Sequence, residues 1–323
     1  MYIETNNLTV GYPLRNGQKE VLKSLNLSLK EGLTALIGLN GSGKSTLMKS
    51  LANLLPPLDG SLFVGGEIVK KNTDLSSKVS LVTTEKVTDV RFSVREIVEI
   101  GRYPHTTWTM RLSKKDREII ENALEATGCT EIAEKKISEL SDGQYQKTMI
   151  ARALAQETPI CLLDEATSHL DVLNRYDIAF MLKNVARTEK KAILISTHNL
   201  ETGFEAADEV WLIDENKNIV CGSPEDLVLG GAFSRLFDGK NVIFDVEKGG
   251  ICRQNETVIR AHFNLQGDPV AIFWLEKALL KKGFGRAADA ENFIEAEQSK
   301  GSYVFRLNGE KVFHSVAELL ESL

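Results

Sequence analysis

The segment Gly38-Leu-Asn-Gly-Ser-Gly-Lys-Ser-Thr46 constrains this chain more than any other part of it. It has the spacing GxxxxGK[ST]. A short apolar run, Leu33–Ile37, precedes it, and apolar residues at helical spacing follow: Leu47, Leu51 and Leu54–Leu55. A strand, a glycine-rich turn and a helix in that order make a cradle for phosphate. Gly38, Gly41 and Gly43 let the backbone N–H groups around Asn40 and Ser42 turn inward where a side chain would collide. The helix beginning near Gly43 aims its unpaired N–H groups and the positive end of its dipole at the same anion. In this reading Lys44 bridges the β- and γ-phosphates and Ser45 offers its hydroxyl to Mg2+. Pro56–Pro57 closes the helix, and Asp59–Gly60 turns the chain.

The rest of the pattern is that of an α/β chain. Residues 1–30 alternate in a β manner, and residues 61–84 read as short strands. Residues 93–139 read as mostly helical and more polar. Ile160–Leu163 and Ala192–Ser196 are continuous apolar runs, each preceded by a helical stretch, as expected for a parallel sheet covered on both faces. The first run delivers Asp164 and Glu165 at its end. Such an acid is how phosphate-loop enzymes hold Mg2+, and the next carboxylate is placed to take a proton from an attacking water. The second run ends in Ser196-Thr-His198, at the sheet edge where α/β folds bind ligands. Leu140-Ser-Asp-Gly-Gln144 opens another helix and reads either as an ordinary N-cap or as a second anion-binding terminus. WLIDENKNIVCG reads as a late antiparallel hairpin.

A domain boundary is expected near Asp238–Gly239. Beyond it, residues 241–323 carry strand, helix and hairpin signals of their own, with an Asn308–Gly309 turn, and read as a small α+β unit. That unit holds 10 basic and 12 acidic residues, so it offers no nucleic-acid patch. The whole chain has 323 residues and a net charge of −6, which disfavours a nucleic-acid partner, and its 42% apolar content excludes general disorder. No apolar run approaches a membrane span, and the start MYIETNNLTV lacks the features of a signal peptide, so a cytoplasmic protein is expected. Cys129, Cys161, Cys221 and Cys252 are far apart and read as reduced, packed thiols.

Taken in order, these motifs resemble those of the ATP-binding cassette (ABC) ATPases over about residues 2–238. The resemblance implies an α/β P-loop NTPase cassette, a mixed-sheet core with a helical subdomain at about residues 86–158, plus the small C-terminal α+β domain. It implies that Tyr12 stacks on adenine and that Gly38, Asn40, Gly41, Ser42, Gly43, Lys44, Ser45 and Thr46 form the Walker A loop. Ser141, Asp142, Gly143 and Gln144 take the place of the signature that acts in trans, with Asp142 where glycine is commonest. Asp164 and Glu165 match the Walker B aspartate and catalytic glutamate, Ser168-His-Leu-Asp171 the D-loop, and His198 the switch histidine. Thr84 aligns with the Q-loop glutamine, with Glu85 adjacent. Phe92-Ser-Val-Arg-Glu-Ile-Val and Gly101-Arg-Tyr-Pro-His105 look like the helical subdomain of importers for iron-siderophore, haem and cobalamin complexes; His105 is expected to be structural.

The function so implied is the ATP-hydrolysing subunit of an importer for a metal chelate. Its cofactors are ATP and Mg2+, and its metal-holding residues are Ser45 and Asp164. It would work as a head-to-tail homodimer on the cytoplasmic side of the membrane, with permease subunits and a substrate-binding protein as partners. A soluble ABC ATPase for iron–sulfur assembly is the alternative. A chromosome-clamp relative is disfavoured, because residues 47–139 hold no sustained heptads.

Overall fold

The computed structural model describes residues 2–83, 85, 91–106, 111–166, 170–238, 240–246, 249–253, 259–299 and 301–323. The chain divides into two compact units, Met1–Cys252 and Arg253–Leu323. The first is built on a sheet whose strand order is Ile219–Gly222, Glu209–Ile213, Gly32–Ile37, Ala192–Thr197, Ile160–Leu163 and Val79–Val82. All neighbours are parallel except the outer Ile219–Gly222, which forms the expected hairpin with Glu209–Ile213. Gly32–Ile37, Ile160–Leu163 and Ala192–Thr197 are buried along their whole length, which is why each reads as an unbroken apolar run.

Side-chain alternation divides these strands between two cores. Leu33, Ala35, Ile37, Leu163 and Ile195 face one core, together with the helices Val94–Ile100, Lys114–Ala126, Asp142–Ala155 and Val172–Thr188. Leu36, Leu162, Leu194 and Trp211 face the other. That second core is closed by an antiparallel sheet of Gly17–Leu25, Ile3–Leu14, Asp59–Val64 and Glu67–Ile68, with Ser28–Leu29 paired to Ile3–Leu14. The helix after the glycine-rich loop, Lys44–Leu51, buries Leu47, Met48 and Leu51 there. It ends at Leu51, short of Leu54–Leu55, and just beyond it Asn53 takes a left-handed φ of 57°.

The 101–105 stretch has a packing explanation. A Cβ on Gly101 would lie 2.2 Å from the carbonyl oxygen of Arg152, so the helices Val94–Ile100 and Asp142–Ala155 touch backbone to backbone there. Arg102 is buried; its Nε donates to Asp116 Oδ1 at 2.9 Å and its Nη1 to the Ala155 carbonyl at 2.7 Å. Asp116 is held down at a pKa of about 2, first by the Ser113 hydroxyl it accepts from and further by Arg102. His105 is structural, its Nε2 lying 2.7 Å from the Gln156 carbonyl.

The second unit carries a sheet ordered Phe284–Arg286, Ala261–Gly267, Asn292–Ser299, Ser302–Leu307 and Lys311–Phe313. The first three strands are parallel and the last two antiparallel. The helices Pro269–Lys281 and Val316–Glu321 bury Leu275, Leu279 and Leu319 with Phe263, Leu265, Ile294 and Phe305. Asn308 and Gly309, with φ of 50° and 73°, turn the chain between its last two strands. The division falls later than Asp238–Gly239. Val242–Asp245 and Gly250–Arg253 pair as a hairpin, and Phe244 is buried in a core of the first unit. Among the described residues no helix is long and apolar enough to cross a membrane. The four cysteines are free.

Replacing Gly101 by Ala forces the two touching helices apart. It should lower unfolding stability by about 1–3 kcal/mol, read from the midpoint of denaturant unfolding at constant m; an unchanged midpoint would contradict this packing.

Candidate functional site

Parallel register brings the sequence signals to one edge. Ile37 is level with Thr197, and Leu163 with Ile195, so Gly38, Asp164 and His198 all leave the sheet at its carboxyl ends. The glycine-rich loop turns there into the helix Lys44–Leu51. Gly43 caps that helix at φ 112° without a side-chain cap hydrogen bond, and a Cβ at Gly43 would strike Val21 Cγ1 at 2.7 Å. The first-turn N–H groups therefore open toward the loop, which is what an anion requires. Ser42 Oγ is buried and, among the described residues, has no hydrogen-bond partner, a polar atom in the loop that suits a phosphate oxygen.

Lys44 is only 3% exposed. Its Nζ donates to the carbonyls of Gly38 at 2.8 Å and Leu39 at 3.3 Å and lies 3.8 Å from Glu165 Oε1. Burial pushes the ammonium pKa down, while the negative charges of Glu165 and Asp164 oppose that shift. Asp164, also 3% exposed, follows the buried strand Ile160–Leu163. Its Oδ1 accepts the hydroxyl hydrogen of Ser196 at 2.7 Å, and the same hydroxyl accepts the N–H of Glu165 at 2.8 Å. Ser196 is fully buried and ties two adjacent acids to the neighbouring strand. Glu165 itself has φ 49°, a left-handed conformation that costs a non-glycine residue free energy and persists where surroundings enforce it. Sequence reasoning singled out Ser196 only as part of the run before His198. The signal for its role is a hydroxyl in a buried strand level with an acid on the next one.

Around this centre the other expected residues take different positions. Tyr12, on Ile3–Leu14, has its Oη 3.1 Å from Thr46 Oγ1, and its ring is 41% exposed beside the loop. Ser45 is exposed at the first turn of the loop helix. Ser45 and Asp164 together offer a hydroxyl and a carboxylate, oxygen donors of the kind magnesium takes alongside substrate phosphates. His198 is exposed and lines a 280 Å3 cavity with Arg175, Leu200 and Phe244.

Ser141 caps Asp142–Ala155 in a reciprocal box: its Oγ accepts from the Gln144 N–H at 3.3 Å, and Gln144 Oε1 accepts from the Ser141 N–H at 3.2 Å. Asp142 and Gly143 begin the helix, with Gly143 buried. Asp171 caps Val172–Thr188, accepting the N–H of Asn174 at 2.8 Å; this and the Asn174 side chain hold its carboxyl below the usual range. Glu85 is 82% exposed and lies 3.9 Å from Lys49, on the loop helix but a turn from its start. Thr84 and the D-loop residues Ser168 and His169 lie outside the described residues. Lys44, Asp164, Glu165 and Ser196 are thus drawn together within this chain, while Ser141–Gln144 and Asp171 sit at helix starts of their own.

Known proteins resemble this chain in sequence and in fold. The family model for ABC transporter matches residues 22–168, and the model for the iron ABC transporter C-terminal domain matches residues 260–323. An uncharacterized ABC transporter ATP-binding protein of Methanocaldococcus jannaschii is 34% identical over 271 residues, covering 83% of this chain and 88% of that protein. The ferric enterobactin transport ATP-binding protein FepC of Escherichia coli is 33% identical, covering 74% of this chain and 88% of FepC. Among solved structures, an inward-facing ABC transporter assigned to the metal-chelate type matches at a TM-score of 0.62 and 22% identity, covering 98% of this chain and 99% of that one. A dimeric post-hydrolysis ATP-binding cassette bound to ADP and Pi matches at 0.57 and 25% identity, covering 65% of this chain and 93% of the cassette. On its fold, its site and these relatives, the chain belongs to the ATP-binding proteins of ABC transporters, the ATPase subunits of those machines.

Proposed function

We propose that this chain energises import of an iron chelate through separate permease subunits on the cytoplasmic face of the membrane. The observation that carries the ATPase chemistry is the cluster of Lys44, Asp164, Glu165 and Ser196 at the mouth of the glycine-rich loop. The cargo class rests on the likeness to the enterobactin-transport relative and on the C-terminal match to an iron-transporter domain.

In this reading the loop N–H groups and Lys44 grip the β- and γ-phosphates of ATP. Lys44 gives up part of its carbonyl solvation to do so, and its burial makes the phosphate a strong partner. Tyr12 stacks on adenine. Ser45 and Asp164 would hold magnesium, which supplies charge neutralisation for the leaving phosphates. The Glu165 carboxylate accepts a proton from the attacking water, its direction fixed by the strained backbone that Ser196 holds. His198 contacts the γ-phosphate. The site is completed by a second copy of the chain: the Ser141–Gln144 segment and Asp171 of one copy close over the triphosphate held by Lys44 of the other. ATP joins the pair, and its cleavage releases them, the motion that the permease uses. Glu85 and the helical subdomain would pass this motion to the permease, and a substrate-binding protein would deliver the chelate. The C-terminal unit is an accessory domain of this cassette.

Glu165→Gln should lower phosphate release by about 10^2–10^4-fold while magnesium ATP still binds. A rate equal to the unmodified protein's would remove Glu165 from the role of base. Ser196→Ala strips a hydrogen bond from both acids and should cost about 1–3 kcal/mol of stability together with a fall in kcat. Unchanged unfolding and unchanged turnover would contradict the bridge.

A further inference from the structure

The helix that follows His198 is clamped from two sides. Leu200–Ala206 begins two residues after the histidine. On its inner side Gly203 approaches Ile37, the last strand residue before the phosphate loop, so closely that a Cβ would lie 2.5 Å from Ile37 Cδ1. On its other side the Phe204 ring is packed 4.4 Å from Phe233 and 5.5 Å from Phe244, and the last two rings lie 5.6 Å apart. Phe233 and Phe244 are buried, at 0% and 5% exposure. Phe233 belongs to Ala232–Arg235, whereas Phe244 comes from the hairpin through which the chain passes to its second unit. The same hairpin, through Phe244, Gly250 and Ile251, lines the cavity that His198 and Leu200 form from the other side.

His198 is exposed and, among the described residues, its ring has no hydrogen-bond or ion-pair partner, so its place depends on the element behind it. Rings packed at these distances attract one another beyond the area they bury, so the Phe204–Phe233–Phe244 cluster favours one placement of the helix. We infer that Phe244 is a positioning residue for His198, so that the hairpin leading to the C-terminal unit sets the hydrolytic competence of the cassette. The inference rests on the role given to His198 above.

The test is a double-mutant cycle on the full chain, reading kcat and KM for magnesium ATP. His198→Ala alone must lower kcat; if it does not, the role of His198 fails and the inference falls with it. Phe244→Ala should lower kcat about tenfold, with KM within about twofold of the original, because the ATP grip is untouched. In the His198→Ala background, Phe244→Ala should lower kcat less than about twofold, since the residue it positions is gone. Phe244→Tyr should restore most of the rate, and the milder Phe244→Leu gives the same cycle if the alanine variant does not fold. With His198→Ala impaired, an unchanged kcat in Phe244→Ala and Phe244→Leu would overturn the inference. So would an equal loss in both backgrounds, or a loss expressed in KM alone.

Discussion

The buried ammonium of Lys44 organises the site. Lys44 has almost no access to water, and a charge so placed costs several kcal/mol unless partners replace its hydration. The fold supplies them from two directions. The carbonyls of Gly38 and Leu39 come from the loop itself, and the negative charges of Glu165 and Asp164 come from the end of another strand. The arrangement exists only if the two strands are held at a matching height. The buried parallel sheet provides that height, because its register is fixed by apolar faces that a slip of one residue would turn to the wrong core.

The same constraint reaches the geometry proposed for catalysis. Two acids side by side, next to a strand that must also carry His198, need a group that fixes both without adding charge. Ser196 does so by donating to one and accepting from the other. The left-handed backbone at Glu165 is strain of the sort that functional sites keep, and the Ser196 hydroxyl accepts a hydrogen bond from that residue's N–H. The arrangement at this edge therefore rests on hydrogen bonds between neighbouring strands as well as on the loop.

Much of this was legible in the sequence because its signals are local. A glycine-rich loop between a strand and a helix, an acid after an apolar run and a serine before a helix each announce themselves within a few residues. Ile160–Leu163, the strand expected over Ala192–Ser196 and the helix start at Ser141 stand where the pattern places them, the second strand running one residue longer to Thr197. What escaped depends on contacts distant in sequence. The role of Ser196 requires knowing which strand lies beside it. Phe284–Arg286 is too short, and too glycine-broken, to show an alternation. The hairpin of Val242–Asp245 and Gly250–Arg253 reads as the start of the second unit, because nothing local says that Phe244 seats itself beside Phe204 and Phe233. The glycine at 101 looks like part of a turn, and only the packed helices show that it is a point of contact.

The buried ammonium also sets the most direct test. Heat of binding of magnesium ATP, titrated into the full chain and into its Lys44→Ala variant, compares the grip with and without the charge. The account predicts saturable binding by the unmodified chain and a loss of at least about 1.5–3 kcal/mol in the variant, the worth of a hydrogen bond to a charged group. Equal affinities for the two proteins, or no binding by the unmodified one, would contradict it.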